Sequence, residues 1–243
     1  VREADGPLEV AGFLARVATE LAAASDEVEL TRCAARRATE LLVGDGAAVV
    51  ARRRRGRLET VAATDGVARR DEELQRELGT GPTLTAVRHP DGLVVEDAVR
   101  EPRWPGWGGR RDASGPRSLV CVQLMPTGLH DRHEPLGVLA VHALRPRAFG
   151  QEDLEALLLL AVHVSAAWAA LRRTVTLAEA AESRHLIGVA QGMLAASAHV
   201  PVDASFPLLQ GWARAGNVRV RDLAERIIAT GGVPDDLELP DTP

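Results

Sequence analysis

Residues 118–144 read SLVCVQLMPTGLHDRHEPLGVLAVHAL, from Ser118 to Leu144, and this stretch decides the fold class. Residues 118–125 and 137–144 are runs of Val, Leu, Ala and Cys, and Pro126 to Pro135 between them is rich in turn formers. Two strands joined by a turn-rich connection are predicted. Upstream, Leu93-Val94-Val95 predicts a short strand leading into a Pro- and Trp-bearing loop that runs to Gly115-Pro116. Residues 47–51 and 58–63 are β-prone and flank Arg52-Arg53-Arg54-Arg55-Gly56-Arg57, which reads as a hairpin with a solvated basic tip.

Helical patterns surround these strands. Phe13, Leu14, Val17 and Leu21, then Val28, Leu30, Cys33, Ala34, Ala38, Leu41 and Leu42, carry helical spacing. Ser25-Asp26 separates the two runs and is placed to cap the second, with Glu29 following. Asp71 to Leu78 predicts a short polar helix stopped by Gly79-Thr80-Gly81-Pro82. From Gln151 to Ser197 there is no proline, so one helix or two nearly continuous ones run about 70 Å. Leu157, Ala161, Val164, Trp168, Leu171, Val175 and Ala178 alternate spacings of four and three, a coiled-coil seam that predicts self-association. The alternative is a helix packed only on its own domain. Phe206, Leu208, Leu209, Trp212 and Ala213 mark a short amphipathic helix closed by Gly216-Asn217, and Val220, Leu223, Ala224, Ile227 and Ile228 mark another, making a small three-helix unit. Residues 232–243 read as an acidic disordered tail.

The 243 residues leave room for one large domain or two modest ones. The most apolar stretch, Leu154 to Ala170, is interrupted by Glu155, His163 and Ser165, so no membrane span is expected. Val1 to Asp5 carry mixed charge with no apolar run, so no secretory signal is expected unless one was trimmed, and a cytoplasmic location is expected. Cys33 and Cys121 are too far apart in sequence to suggest a disulfide framework or a metal cluster. All 29 basic residues are arginine against 34 acidic ones, a net charge of -5, which argues against a generally cationic surface. Locally the balance differs: residues 183–231 hold five arginines against three acidic residues, and the tail holds four acidic residues and no basic one.

Catalytic machinery is not visible. His130-Asp131-Arg132-His133-Glu134 has the wrong ligand order for a zincin and lies between Pro126 and Pro135, so it reads as a solvated loop. No phosphate-binding glycine motif, nucleophile elbow or kinase signature occurs, and His185 lacks the surroundings of a phospho-accepting histidine. No catalytic residue, metal or cofactor is expected.

Two ordered sets of motifs carry family resemblances. Gly79-Thr80-Gly81-Pro82-Thr83-Leu84, Val94-Val95-Glu96-Asp97, Pro102-Arg103-Trp104-Pro105, the 118–124 and 135–141 strands, and Ala148-Phe149 with Asp153 make residues 25–172 resemble a GAF domain of actinobacterial regulators. Thr83 stands where the family often has Cys, which removes a thiol or chromophore role there. Ser183-Arg184, Ile187, Ala190-Gln191-Gly192-Met193-Leu194, Phe206, Leu209, Ala213-Arg214, Asn217 and Arg219-Val220-Arg221-Asp222-Leu223-Ala224 make the end of the chain resemble an ANTAR domain, an RNA-binding module of transcription antiterminators. Ala195, Ser205, Pro207 and Gln210 depart from that pattern. A helix starting near Ser205 would put Pro207 in its first turn.

The resemblance implies an α+β chain: an N-terminal helical segment (1–24), a GAF domain with an antiparallel sheet flanked by helices (25–172), a long coiled-coil helix leading into a three-helix ANTAR bundle (173–231), and the tail. It implies a homodimer through the long helix that binds two-hairpin leader RNA and prevents a terminator hairpin. Expected RNA-binding residues are Arg184, Ala190, Gln191, Gly192, Arg214, Asn217, Arg219 and Arg221. For a small-molecule ligand in the GAF domain they are Trp104, Cys121, Gln123 and His142. An ion pair of Arg221 with Glu225 is the structural alternative for that arginine. The rival function is a ligand-binding or protein-interaction regulator without RNA binding, motivated by Pro207 and Gln210.

Overall fold

The computed structural model describes residues 7–110, 114–126, 134–198, 201–234 and 236–237. The chain divides into two compact units, residues 1–172 and 173–243.

The first unit is built on a five-stranded antiparallel sheet of order β2-β1-β5-β4-β3, with β1 at Gly46–Arg52, β2 at Leu58–Ala63, β3 at Leu93–Val95, β4 at Ser118–Leu124 and β5 at Gly137–Ala143. Every predicted strand is present. Strand alternation divides the side chains between two faces. Val49, Val120, Val122, Leu139 and Val141 point to the face covered by α1 (Pro7–Ala23), α2 (Glu27–Leu42) and the first part of α6 (Gln151–Ala198), where Val17, Leu21, Leu30, Leu157, Val164 and Trp168 complete the core. Leu93, Val95, Leu119, Cys121, Val138 and Ala140 point to the other face, covered with Ala86, Trp104 and Trp107 by α3 (Gly66–Leu78), α4 (Pro82–Ala86) and α5 (Pro105–Arg110). β1 approaches β5 so closely that a Cβ on Gly137 would strike the Val50 carbonyl.

Side-chain caps set the helix starts. Asp26 accepts from the Glu29 amide at 2.8 Å, and Glu29 accepts from the Ser25 amide and hydroxyl, each at 2.8 Å, a reciprocal box. Helix α3 begins at Gly66, before the predicted Asp71, because Asp65 accepts from the Val67 and Ala68 amides at 2.6 and 2.8 Å. It ends as predicted on Gly79, in the left-handed conformation at φ 66°.

Helix α6 is a single run of 48 residues. The expected seam is largely spent inside the first unit: Leu157, Ala161, Val164 and Trp168 are buried in its core and Leu171 packs against it. A heptad pattern states which residues seek burial, and here the sheet supplies it. The last two seam residues, Val175 and Ala178, stay exposed, and Leu159, Val162 and Ala166 are exposed on an offset side of the helix. By length and composition α6 also qualifies as a membrane span, with mean hydropathy of 1.9 over 18 residues, half of them buried within the fold.

In the second unit the end of α6 packs with α7 (Val202–Ala215) and α8 (Val220–Thr230) around Ala190, Leu194, Leu209, Ala213, Leu223, Ala224 and Ile227. Helix α7 starts at Val202, because the Pro201 carbonyl accepts from the Ala204 and Ser205 amides at 3.0 and 3.1 Å. Pro207 therefore sits in the second turn, not the first, and the Asp203 carbonyl lacks an intrahelical donor from it. Phe206 lies 37% exposed, off the core stripe expected of it. Part of the expected disordered tail is attached: Val233 and Leu237 pack on the bundle, and Asp236 accepts from Arg226 at 2.8 Å.

Candidate ligand cavity and nucleic-acid interface

Under α3, two neighbouring cavities share Asp71 and Pro116. The larger, about 190 Å³, is lined by Val67, Arg70, Asp71, Leu74, Arg110, Ser114, Gly115 and Pro116. The smaller, about 10 Å³, is close to the space one water needs and is lined by Ala48, Ala68, Asp71, Glu72, Pro116, Leu119, Ala140 and His142.

A buried polar network stands behind Asp71, which lines both, and Glu72, which lines the smaller. Asp71 accepts from Trp107 Nε1 at 3.1 Å and from Gln75 Nε2 at 2.9 Å, and Gln75 Oε1 accepts from the Thr83 amide at 2.9 Å. Thr83 Oγ1 donates to Glu72 at 2.8 Å. Only a residue without Cβ fits at Gly81, where φ is 151° and a side chain would enter the Gln75 amide. Burial, with the neighbouring Asp71 carboxylate, pushes the Glu72 carboxyl up to about 8. Glu72 is thus protonated at neutral pH and able to donate a hydrogen bond of its own. Burial also pushes the Cys121 thiol strongly upward, which suppresses thiolate chemistry there.

Of the four expected ligand residues, only His142 lines this space. Trp104 and Cys121 belong to the core of that face, and Trp104 Nε1 donates to Thr85 at 3.0 Å. Gln123 Nε2 donates to the Val87 carbonyl. The sequence reading missed Asp71, Glu72 and Gln75, because acidic and amide residues in a polar helix read as solvated. Their i, i+1, i+4 spacing was the available signal. Residues 130–133 of the His-rich loop lie outside the described residues, and Glu134 pairs with Arg52. Among the described residues no three His, Cys, Asp or Glu side chains gather as a metal set.

The second unit presents a different surface. Arg184, Gly188 and Gly192 recur every fourth residue along one exposed side of α6, and a Cβ added at either glycine would meet no atom within 4 Å. Arg214 and Asn217 are exposed at the α7–α8 turn, with Asn217 left-handed at φ 50°. Arg219 is 83% exposed and pairs with Asp222 at 2.9 Å. Gln191 is half-buried. Ala190 is fully buried in the bundle core, which closes it to direct contact with a partner. Arg221 is clamped between Glu182 and Glu225, at 2.9 and 3.0 Å, the structural use anticipated for it.

Residues 24–169, more than half of the chain, match the GAF domain family, and residues 176–228 match the ANTAR domain. The chain belongs to the GAF family and carries an ANTAR domain behind it. No curated protein matches it. The GAF fold is shared with solved structures at low identity. The GAF domain of a Coxiella burnetii phosphoenolpyruvate-protein phosphotransferase is 19% identical with a TM-score of 0.54, covering 70% of this chain and 98% of that one. The corresponding Acinetobacter domain is 15% identical with a TM-score of 0.53, covering 69% and 96%. A bacteriophytochrome of R. palustris is 14% identical with a TM-score of 0.59, covering 86% of this chain and 47% of that one. The GAF–ANTAR chain thus joins a sensing domain to a regulatory domain, neither of which is a catalytic module.

Proposed function

We propose that this GAF–ANTAR protein is a cytoplasmic, dimeric regulator that binds two-hairpin leader RNA through its ANTAR domain and so prevents transcription termination, under control of a small ligand or partner at the GAF domain. The observation that carries the reading is the exposed Arg184–Gly188–Gly192 side of α6, together with Arg214, Asn217 and Arg219 on the same bundle. Guanidinium forks suit phosphates and base edges, and a helix surface cleared of side chains lets a nucleic-acid backbone approach closely.

The cavity beside Asp71, at about 190 Å³, suits only a small molecule. Helix α6 runs unbroken from the GAF core into the ANTAR bundle and offers Leu159, Val162 and Ala166 as a face for a second copy. A ligand acts by favouring one dimer state, to the extent of its differential affinity for the two.

The rival reading, a protein-interaction regulator without RNA binding, is favoured by Arg221, whose guanidinium is held by two carboxylates, and by Gln210 at a usual arginine site. An electrophoretic shift with a two-hairpin leader RNA separates them: a verified dimer that leaves the RNA unshifted at low salt removes the RNA reading.

A further inference from the structure

The run Arg52–Arg55 does not act as one charged tip. Arg52 pairs with Glu134, and Arg53 is held by Glu27 at 2.6 Å and Glu59 at 2.9 Å, so these two are fixed within the fold. Arg54 and Arg55 project from the turn, with Arg55 and Gly56 both left-handed, at φ 61° and 74°.

Helix α3 lies along the edge strand β2, and its C-terminal turn comes back to the start of that strand. Arg69 and Arg76, two turns apart on one side of α3, thereby line a groove of about 530 Å³ with Arg57 and the β2 residues Leu58 and Thr60. Arg57, Arg69 and Arg76 are exposed. Two carboxylates share the groove. Glu59 is taken chiefly by Arg53, with Arg57 farther off at 3.6 Å, and Glu73 forms no ion pair among the described residues. Arg76, in the last turn of α3, also offsets the negative end of the helix dipole.

We propose that this groove and the adjoining Arg54–Arg55 turn form a second nucleic-acid contact, on the GAF domain, that holds RNA phosphates without reading bases. The proposal rests on the RNA reading of the ANTAR domain. Arginine forks match phosphate geometry. The groove has no aromatic ring on which a base can stack, so its contacts position the strand and carry no sequence information. An acidic peptide is the poorer fit, because only Leu58 and Leu84 offer apolar anchorage and peptide affinity concentrates in such anchors.

The test measures binding of the full-length protein to a two-hairpin leader RNA and to a scrambled RNA across a salt series. It compares wild type with R54A/R55A/R69A/R76A, and with R16A/R32A, which removes exposed arginines on α1 and α2. The expected result is at least tenfold weaker binding of both RNAs by the quadruple variant. Its slope of log affinity against log salt should be shallower by about 2 to 3, at about 0.7 per lost single-strand contact. R16A/R32A should keep the wild-type slope. Wild type that binds RNA, with a quadruple variant of unchanged affinity and slope, overturns the groove and leaves the ANTAR reading standing. Wild type that binds no RNA overturns both. Loss of polyglutamate binding by the quadruple variant with RNA binding intact overturns the proposal in favour of an acidic protein partner.

Discussion

The indole Nε1 of Trp168 on α6 donates to Glu27 Oε2 at 3.2 Å, tying the long helix to the first residue of α2. Arg53 reaches the same carboxylate at 2.6 Å from the β1–β2 turn, and Arg172 lies 5.0 Å over the Trp168 ring and 3.7 Å from Glu27. Sheet, α2 and α6 therefore meet at one carboxylate just where the first unit ends. Removing it by Glu27→Ala takes the carboxylate from the Trp168 indole N–H, from Arg53, which keeps Glu59, and from Arg172. The expected loss is about 1–3 kcal/mol, the scale of a hydrogen bond to a charged group. Glu27→Gln, which keeps an acceptor for Trp168, should lose less. Equal unfolding midpoints in denaturant for wild type and Glu27→Ala would show that the carboxylate is not a structural tie.

Glu72 gives the GAF domain a pH dependence of known sign. Its folded value of about 8 lies above the ordinary 4.5, so the folded state holds a proton that the unfolded state releases as pH rises. This contribution is fully present below about pH 4.5, declines through the window up to 8, and is level above it. Thermal unfolding of wild type should therefore show a midpoint falling across that window, and Glu72→Gln should flatten the fall and raise the midpoint at pH 8. Each kcal/mol recovered is worth about 2–4 °C in a protein of this size. Parallel profiles for the two proteins would exclude a raised carboxyl at this position.

Gly192 separates structure from function. A Cβ there meets nothing within the chain, so Gly192→Ala should stabilise the ANTAR bundle by up to about 1 kcal/mol through helix propensity. If RNA lies against this side of α6, the same methyl group should weaken RNA binding. A more stable variant with wild-type affinity would move the interface elsewhere.

Much of this was legible in the sequence because alternation and helical spacing report burial directly. The five strands, the Asp26 cap and the Gly79 stop follow from side-chain period and turn chemistry. Burial against which partner does not. Leu157, Val164 and Trp168 carry a seam that the sheet of the same domain consumes, leaving Leu159 and Val162 exposed on another side. The cavity was hidden for a related reason: Asp71, Glu72 and Gln75 are polar residues bonded to Thr83, across the Gly79–Gly81 turn, and to Trp107, 36 residues on from Asp71. Pro207 was assigned to a first turn because the Pro201 carbonyl, which starts α7 early, has no signature of its own.

The exposed side of α6 predicts the mode of self-association. L159E/V162E places two carboxylates on that face without touching the core residues Leu157 and Val164. Sedimentation should report a dimer for wild type and a monomer for the variant, with equal unfolding cooperativity. A variant that sediments like wild type would exclude this face.

Arg219 and Arg221 should part company. Arg219→Ala should lower RNA affinity and reduce the salt slope by about 1, as for one phosphate contact, without changing stability. Arg221→Ala breaks the Glu182 and Glu225 pairs and should lower the stability of the bundle. Stability effects in the opposite order would reverse these roles.

The most direct test of RNA binding is the affinity of the full-length protein for a two-hairpin leader RNA, measured beside each hairpin alone at the same salt. The paired hairpins should give a discrete shifted complex, at least tenfold tighter than with either single hairpin and weakened by Arg219→Ala. Equal affinity for paired and single hairpins, or no complex at low salt, would contradict the two-hairpin reading.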